Sequence, residues 1–127
     1  MLKKKAKVIL DTNFLMIPGS FMVDIFTEIE RIIDVPYELC IFKKSLKELE
    51  KIVQAGNSRE RRAATLALLL AKQKPLKTLA SFSNKYVDDL IFYKAKKGDY
   101  VATQDKELKN RLKEKNIRVI SLKQKKY

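Results

Sequence analysis

Short apolar stretches alternate with longer amphipathic ones along this chain, and that succession restricts its fold more than any other feature. Val8-Ile9-Leu10 is a three-residue apolar run with two β-branched members, which reads as a short buried strand that turns polar at Asp11. Phe14 to Ser20 contains Pro18-Gly19, a strong turn dipeptide, and predicts a loop. Ser20 is placed to cap a helix over 21–33, whose Val23, Phe26, Ile29 and Ile33 repeat at three- and four-residue steps. Glu38 to Phe42 predicts a second strand. Ser45-Leu46-Lys47-Glu48 has the form of a capping box opening a helix, and Asn57 or Ser58 starts another that runs to about Lys72. Leu76 to Ala80 is a weakly signalled third strand. A helix over 86–97 stopping at Gly98, a strand at 100–103, a helix at 106–115 and a strand at 117–122 complete the order β-α-β-α-α-β-α-β-α-β. Strands and helices in that alternation imply a parallel sheet covered on both faces and joined by right-handed crossovers. The expected fold class is α/β: a three-layer α/β/α sandwich around a mostly parallel five-stranded sheet.

A length of 127 residues suits one domain, and nothing in the chain marks a repeat, a low-complexity segment or a second domain. No apolar run approaches the ~20 residues of a membrane span. The stretch after the N-terminal lysines is too short for a signal peptide. A cytoplasmic protein is therefore expected, in keeping with the single Cys40, which rules out an internal disulfide and reads as a buried strand residue.

The sequence has no histidine, which removes Ser-His and Cys-His nucleophiles and imidazole acid–base pairs. With one cysteine, a structural zinc site is equally disfavoured. Three scattered glycines make neither a dinucleotide fingerprint nor a P-loop. Carboxylates are left as the catalytic candidates, most naturally as ligands of a hard cation.

Net charge is +13, and most of it lies at the ends. Residues 1–7 carry four lysines and no acid, while 106–127 carry nine basic and two acidic residues. Such ends favour a polyanion bound through phosphate contacts over a merely solvated Lys-rich surface. Lys3, Lys4, Lys5, Lys123, Lys125 and Lys126 are the terminal candidates for nucleic-acid contact. Arg59, Arg61 and Arg62 open a helix, where positive charge gains nothing from the macrodipole, so an outside anion is favoured over simple solvation. The stretch Ala63 to Ala71 is apolar almost all round and must be covered by the domain or by a second copy, so a homodimer is one expectation.

Four acids occupy equivalent places. Asp11 and Asp105 follow strands, and Glu48 and Asp88 lie in first turns of helices near the same sheet edge. Each also has a purely structural reading: Asp11 and Asp105 as caps, Glu48 as the partner of Ser45, and Asp88 and Asp89 as first-turn acids. If the first and fourth strands are neighbours, the four side chains converge at the carboxyl edge where open α/β sheets bind ligands. Clustered carboxylates repel unless a cation neutralises them, and an all-oxygen set selects Mg²⁺ or Mn²⁺, which can present a water to a phosphodiester.

Leu10-Asp11-Thr12-Asn13, Lys47-Glu48-Leu49, Asp88 through Ala95 and Val101-Ala102-Thr103-Gln104-Asp105 resemble, in order, the successive motifs of PIN domains. The resemblance covers nearly the whole chain. It implies a Mg²⁺- or Mn²⁺-dependent endoribonuclease in which Asp11, Glu48, Asp88 and Asp105 bind metal. Asn13 and Thr103 would support the site, Asp89 would be an additional acid, and the products would be a 5′-phosphate and a 3′-hydroxyl. The Asp-Asp pair, Asp105-Lys-Glu-Leu-Lys and the ending from Ile120 to Lys126 are similar to archaeal relatives of a eukaryotic small-subunit rRNA-processing nuclease. That likeness implies RNA and ribosome-assembly partners. The toxin branch of type II toxin–antitoxin modules is similar in size and acids, and implies an antitoxin partner. A non-catalytic RNA-binding module on the same fold, or less readily a phosphotransfer regulator, are the readings from other classes.

Overall fold

A computed structural model describes residues 5–81 and 85–123. Five strands form one parallel sheet in the order β3-β2-β1-β4-β5: β1 (Ala6–Leu10), β2 (Tyr37–Phe42), β3 (Lys77–Leu79), β4 (Tyr100–Ala102) and β5 (Arg118–Ile120). The chain winds outward from β1 to β3 on one side, then crosses back to lay β4 against the other side of β1. β1 and β4 are thus neighbours, with Leu10 opposite Ala102, and the winding reverses between them. In open α/β sheets that reversal leaves a crevice at the carboxyl edge.

The two faces of the sheet sort by the two-residue period of a strand. Val8, Leu10, Ile41, Tyr100, Ala102 and Ile120 point into one core; Ile9, Cys40, Phe42, Leu79 and Val101 point into the other. The first core is roofed by α1 (Thr12–Leu15), α2 (Ile17–Phe21), α3 (Ile25–Ile32), α4 (Lys43–Ala55) and α5 (Ser58–Gln73). The second is roofed by α6 (Val87–Lys94) and α7 (Lys106–Glu114), through Val87, Ile91, Leu108 and Leu112. The expected three layers are present. Burying one such Leu or Ile contributes about 1.5–3 kcal/mol. Cys40, fully buried in the second core, has its thiol pushed up to about 11 by that burial and by nearby Glu38.

Three local expectations are corrected. The predicted loop after β1 is two short helices. The Asp11 carboxylate caps α1, and Pro18 sits in the first turn of α2, where its missing N–H costs nothing. Gly19 lets α2 lie against α5, since a Cβ there would stand 2.5 Å from the Ala63 Cα. Ser20 consequently lies inside α2. The next helix starts later than expected, with the Asp24 carboxylate accepting from the amides of Phe26 and Thr27. The Ser45–Glu48 capping box does not form, because β2 runs straight into α4 two residues before Ser45. The capping box that does form is Asn57 with Glu60, at the start of α5. On α5 the faces of Ala63, Ala64 and Ala67 are buried within the chain, while Leu69 is half exposed.

Candidate active site at the carboxyl edge

Asp11 follows β1 directly. Its amide donates to the Ala102 carbonyl at 2.9 Å, so the β1–β4 pairing extends to the carboxylate itself. The side chain is only 7% exposed. Its Oδ1 accepts from the Thr12 amide at 2.8 Å and its Oδ2 from the Thr103 hydroxyl at 2.7 Å. Burial outweighs both bonds and, with the charges of Asp105 and Glu48 adding to it, raises the carboxyl from 3.8 to about 6.

Two threonines hold the neighbouring acids in place. The Thr12 hydroxyl donates to Glu48 Oε1 at 2.7 Å, so one residue bonds Asp11 through its backbone and Glu48 through its side chain. Glu48 is available because it lies in the second turn of α4 rather than in a cap. Thr103, fully buried, donates to Asp11 and accepts the Asp105 amide at 3.0 Å. Asp105 caps α7 by accepting the Leu108 amide on Oδ1 at 2.9 Å. The Asn13 side-chain oxygen accepts the Gln104 amide at 3.2 Å, tying the β1–α1 junction to the β4–α7 junction. Gln104 in turn pairs both ends of its amide with the Leu122 backbone, at 2.7 and 2.8 Å, and fastens the chain after β5 to the same edge.

Asp88 and Asp89 form a separate acidic pair on the first turn of α6. Arg111 of α7 lies 2.9 Å from Asp89 Oδ1 and 3.9 Å from Asp88 Oδ2, with its guanidinium stacked 4.4 Å over the Phe92 ring. Asp88 is not among the charges that shift Asp11. The structure therefore brings Asp11, Glu48 and Asp105 into one electrostatic group and ties Asp88 and Asp89 to an internal cation.

Sequence alone does not single out three residues of the site. Thr12 is marked only as the neighbour of Asp11 in Leu10-Asp11-Thr12-Asn13, and Gln104 only as the neighbour of Asp105 in Val101-Ala102-Thr103-Gln104-Asp105. Arg111 lies six residues beyond Asp105, and only the packing of α7 on α6 reveals its partners.

Among the described residues, no group of three or more His, Cys, Asp or Glu side chains is gathered closely enough to hold a metal ion. The chemistry of the site nevertheless fits a hard cation. The donors are all oxygen, and a desolvated carboxylate between two further acids is the arrangement a divalent charge relieves. The Ser45 hydroxyl, one turn before Glu48 on α4, is fully buried and has no hydrogen-bond partner among the described residues. It is a further oxygen without other employment.

Of the basic candidates, Lys5, Arg59, Arg62 and Lys123 are exposed. Arg61 donates to the Gly56 carbonyl at 2.8 Å and so serves the α4–α5 corner. Lys3, Lys4, Lys125 and Lys126 lie outside the described residues. No described helix is long and apolar enough to cross a membrane.

Residues 8–125 match the family described as "PIN like domain". The chain is 36% identical over 123 residues to "Ribonuclease VapC4" of Methanocaldococcus jannaschii, covering 95% of this chain and 93% of that protein. It is similar to the solved structure of "the PIN domain endonuclease Utp24", with TM-score 0.75 and 30% identity over 93% of this chain and 86% of that one. The fold is also shared with VapBC2 from Rickettsia felis, solved bound to a DNA fragment from its promoter. There the TM-score is 0.56 and identity 15%, over 92% of this chain and 99% of that one.

Proposed function

The chain belongs to the PIN-domain family, and from that premise we propose that it is a Mg²⁺- or Mn²⁺-dependent endoribonuclease acting in rRNA processing. The carrying observation is Asp11, a buried carboxylate with Glu48 and Asp105 both pressing on its charge. In this reading Asp11, Glu48, Asp88 and Asp105 hold the cation, and Asp89 stands beside them. Asn13 and Thr103 fix the two strand ends from which Asp11 and Asp105 project. The described positions support the grouping of the first, second and fourth acids. Asp88 joins them in the proposal by its place in the family motif, and it would have to leave Arg111 to do so.

The division of labour follows from the hydrogen bonds. Thr103 aims Asp11 and offsets part of the cost that burial puts on its charge, because a hydroxyl donor at 2.7 Å favours the carboxylate over the acid. Thr12 fixes the rotamer of Glu48 while leaving Oε2 outside that bond. The Asp105 cap fixes that side chain through one oxygen. A bound Mg²⁺ or Mn²⁺ supplies Lewis acidity toward the phosphodiester and its attacking water. Lys3, Lys4, Lys5, Arg59, Arg62, Lys123, Lys125 and Lys126, with Arg61 at the corner, attract the RNA backbone to a single PIN-like domain spanning 1–127.

A toxin ribonuclease paired with an antitoxin is the second reading, favoured by the 36% identity to a protein named VapC4. Both readings share the chemistry; they differ in partner, ribosome-assembly factor or antitoxin, and either allows a homodimer. The test is cleavage of RNA in Mg²⁺ or Mn²⁺ by the wild type and by Asp11→Asn and Asp105→Asn. Loss of cleavage in both variants with folding retained is expected. Cleavage by Asp11→Asn at the wild-type rate refutes the assignment and leaves the non-catalytic RNA-binding module as the reading. Sequencing the fragments the wild type leaves then distinguishes an rRNA precursor from other targets.

A further inference from the structure

Beside the acids, the same sheet edge carries a groove of about 330 Å³ that the reaction above does not use. Its floor is Phe42 and Leu79, which end β2 and β3 opposite one another, and its wall includes Leu90, Tyr93 and Lys94 of α6. Lys85 closes one side. Tyr86 and Tyr93 are 76% and 62% exposed, and each ring has a basic neighbour. The Lys85 ammonium sits 4.1 Å over the Tyr93 ring, and that of Lys44 lies 5.8 Å from the Tyr86 ring centre. Lys44 also donates to the Lys85 carbonyl, linking α4 to the segment before α6. Tyr93 also makes an edge-on contact with the Phe92 ring at 5.3 Å. Among the described residues, no carboxylate lines the groove.

Tyr93 with Lys85 and Lys94 lining an apolar pocket, and the exposed Tyr86 with Lys44 beside it, are the chemistry that holds unpaired bases while the backbone follows positive charge. Its position suits the reaction. Phe42 continues the β1–β2 register to the level of Asp11, one strand away, which is about 5 Å across a sheet. Lys44 stands four residues before Glu48 on α4, on the same face of that helix.

We propose that Tyr86 and Tyr93, with Lys44, Lys85 and Lys94, form a base-stacking subsite for single-stranded RNA, holding a nucleotide next to the phosphodiester presented to the acids. This deepens the ribonuclease reading and rests on it for the identity of the strand. The subsite selects unpaired RNA, because a base inside a helix has no free face to offer. It adds affinity with little preference among bases, since every base has a π-face.

The test compares binding of a fluorescein-labelled RNA oligomer of about eight nucleotides with an abasic oligomer of equal length, in EDTA so that nothing is cut. Tyr86→Ala/Tyr93→Ala is expected to weaken the base-bearing oligomer by about tenfold or more and to leave the abasic one unchanged. Tyr86→Phe/Tyr93→Phe, which keeps both rings, is expected to bind as the wild type does. Equal affinity of the alanine variant and the wild type for the base-bearing oligomer overturns the subsite, as does an equal loss toward the abasic strand. The ribonuclease reading is scored separately, by wild-type cleavage in Mn²⁺. Cleavage with no tyrosine effect removes the subsite alone. Base-selective binding without any cleavage supports the subsite and removes the nuclease.

Discussion

Replacing Asp11 with Asn separates the fold's interest in this side chain from the reaction's. Burial raises the carboxyl from 3.8 to about 6. A rise of roughly two units makes the ionised form about 3 kcal/mol more costly in the folded chain than in the unfolded one. The folded state binds the proton more tightly, so the contribution of Asp11 to stability is greatest below pH 4, falls as pH rises through 4 to 6, and stays low above that. Asparagine carries no charge but keeps one oxygen for only one of the donors Thr12 N–H and Thr103 O–H, a loss of about 1 kcal/mol. Asp11→Asn is therefore expected to be about 2 kcal/mol more stable than the wild type at pH 8, in EDTA. For a chain of this size that is a melting increase of about 5–10 °C. At pH 4, where the wild-type carboxyl is mostly protonated, the advantage should vanish. Mn²⁺ at a hundredfold excess over its dissociation constant should return about 2.7 kcal/mol to the wild type and nothing to the variant. Thermal denaturation at the two pH values, with and without Mn²⁺, measures all of this. A variant no more stable than the wild type at pH 8, or equally stabilised at both pH values, refutes the electrostatic account of Asp11.

Arg111→Gln removes the counter-charge of Asp88 and Asp89. Because these groups are partly exposed, stability should change by less than about 1 kcal/mol. The Mn²⁺ concentration for half-maximal cleavage should fall as the two acids are released; a rise would show that Arg111 helps to hold the cation site. Gly19→Ala forces a Cβ to within 2.5 Å of the Ala63 Cα and should cost about 1–3 kcal/mol by urea denaturation; an unchanged midpoint would mean that α2 shifts freely over α5. Removal of residues 1–5 together with those after Leu122 should flatten the salt dependence of RNA binding by about 0.7 in logarithmic slope for each phosphate no longer neutralised. An identical slope would assign those charges to solvation.

The layers and the placing of Asp11 and Asp105 were legible because strand alternation is local. Val8 and Leu10 face away from Ile9 whatever surrounds them, and a carboxylate following such a run leaves the sheet at its edge. The meeting of the first and fourth strands is a condition the sequence poses and the sheet meets; the places of the other strands follow from packing. What escaped was decided by packing. The Pro18-Gly19 turn signal is genuine, but Asp11 and Ala63 convert the segment around it into helices that no local propensity favours. Ser45 and Glu48 match a cap by spacing, yet the helix was already under way at Lys43, which buried the hydroxyl and freed the acid for Thr12. Arg111 carries no mark in sequence that separates it from the neighbouring lysines of α7.

Cys40 offers a practical opening. It is the sole thiol in the chain, sits on the strand flanked by β1 and β3, and at ordinary pH is neither ionised nor reachable by solvent. A maleimide added to the native protein reacts only during the moments when the sheet opens, so its labelling rate is a clock for that event. Reporter groups attached through cysteines engineered elsewhere on the surface then need no cysteine-free background.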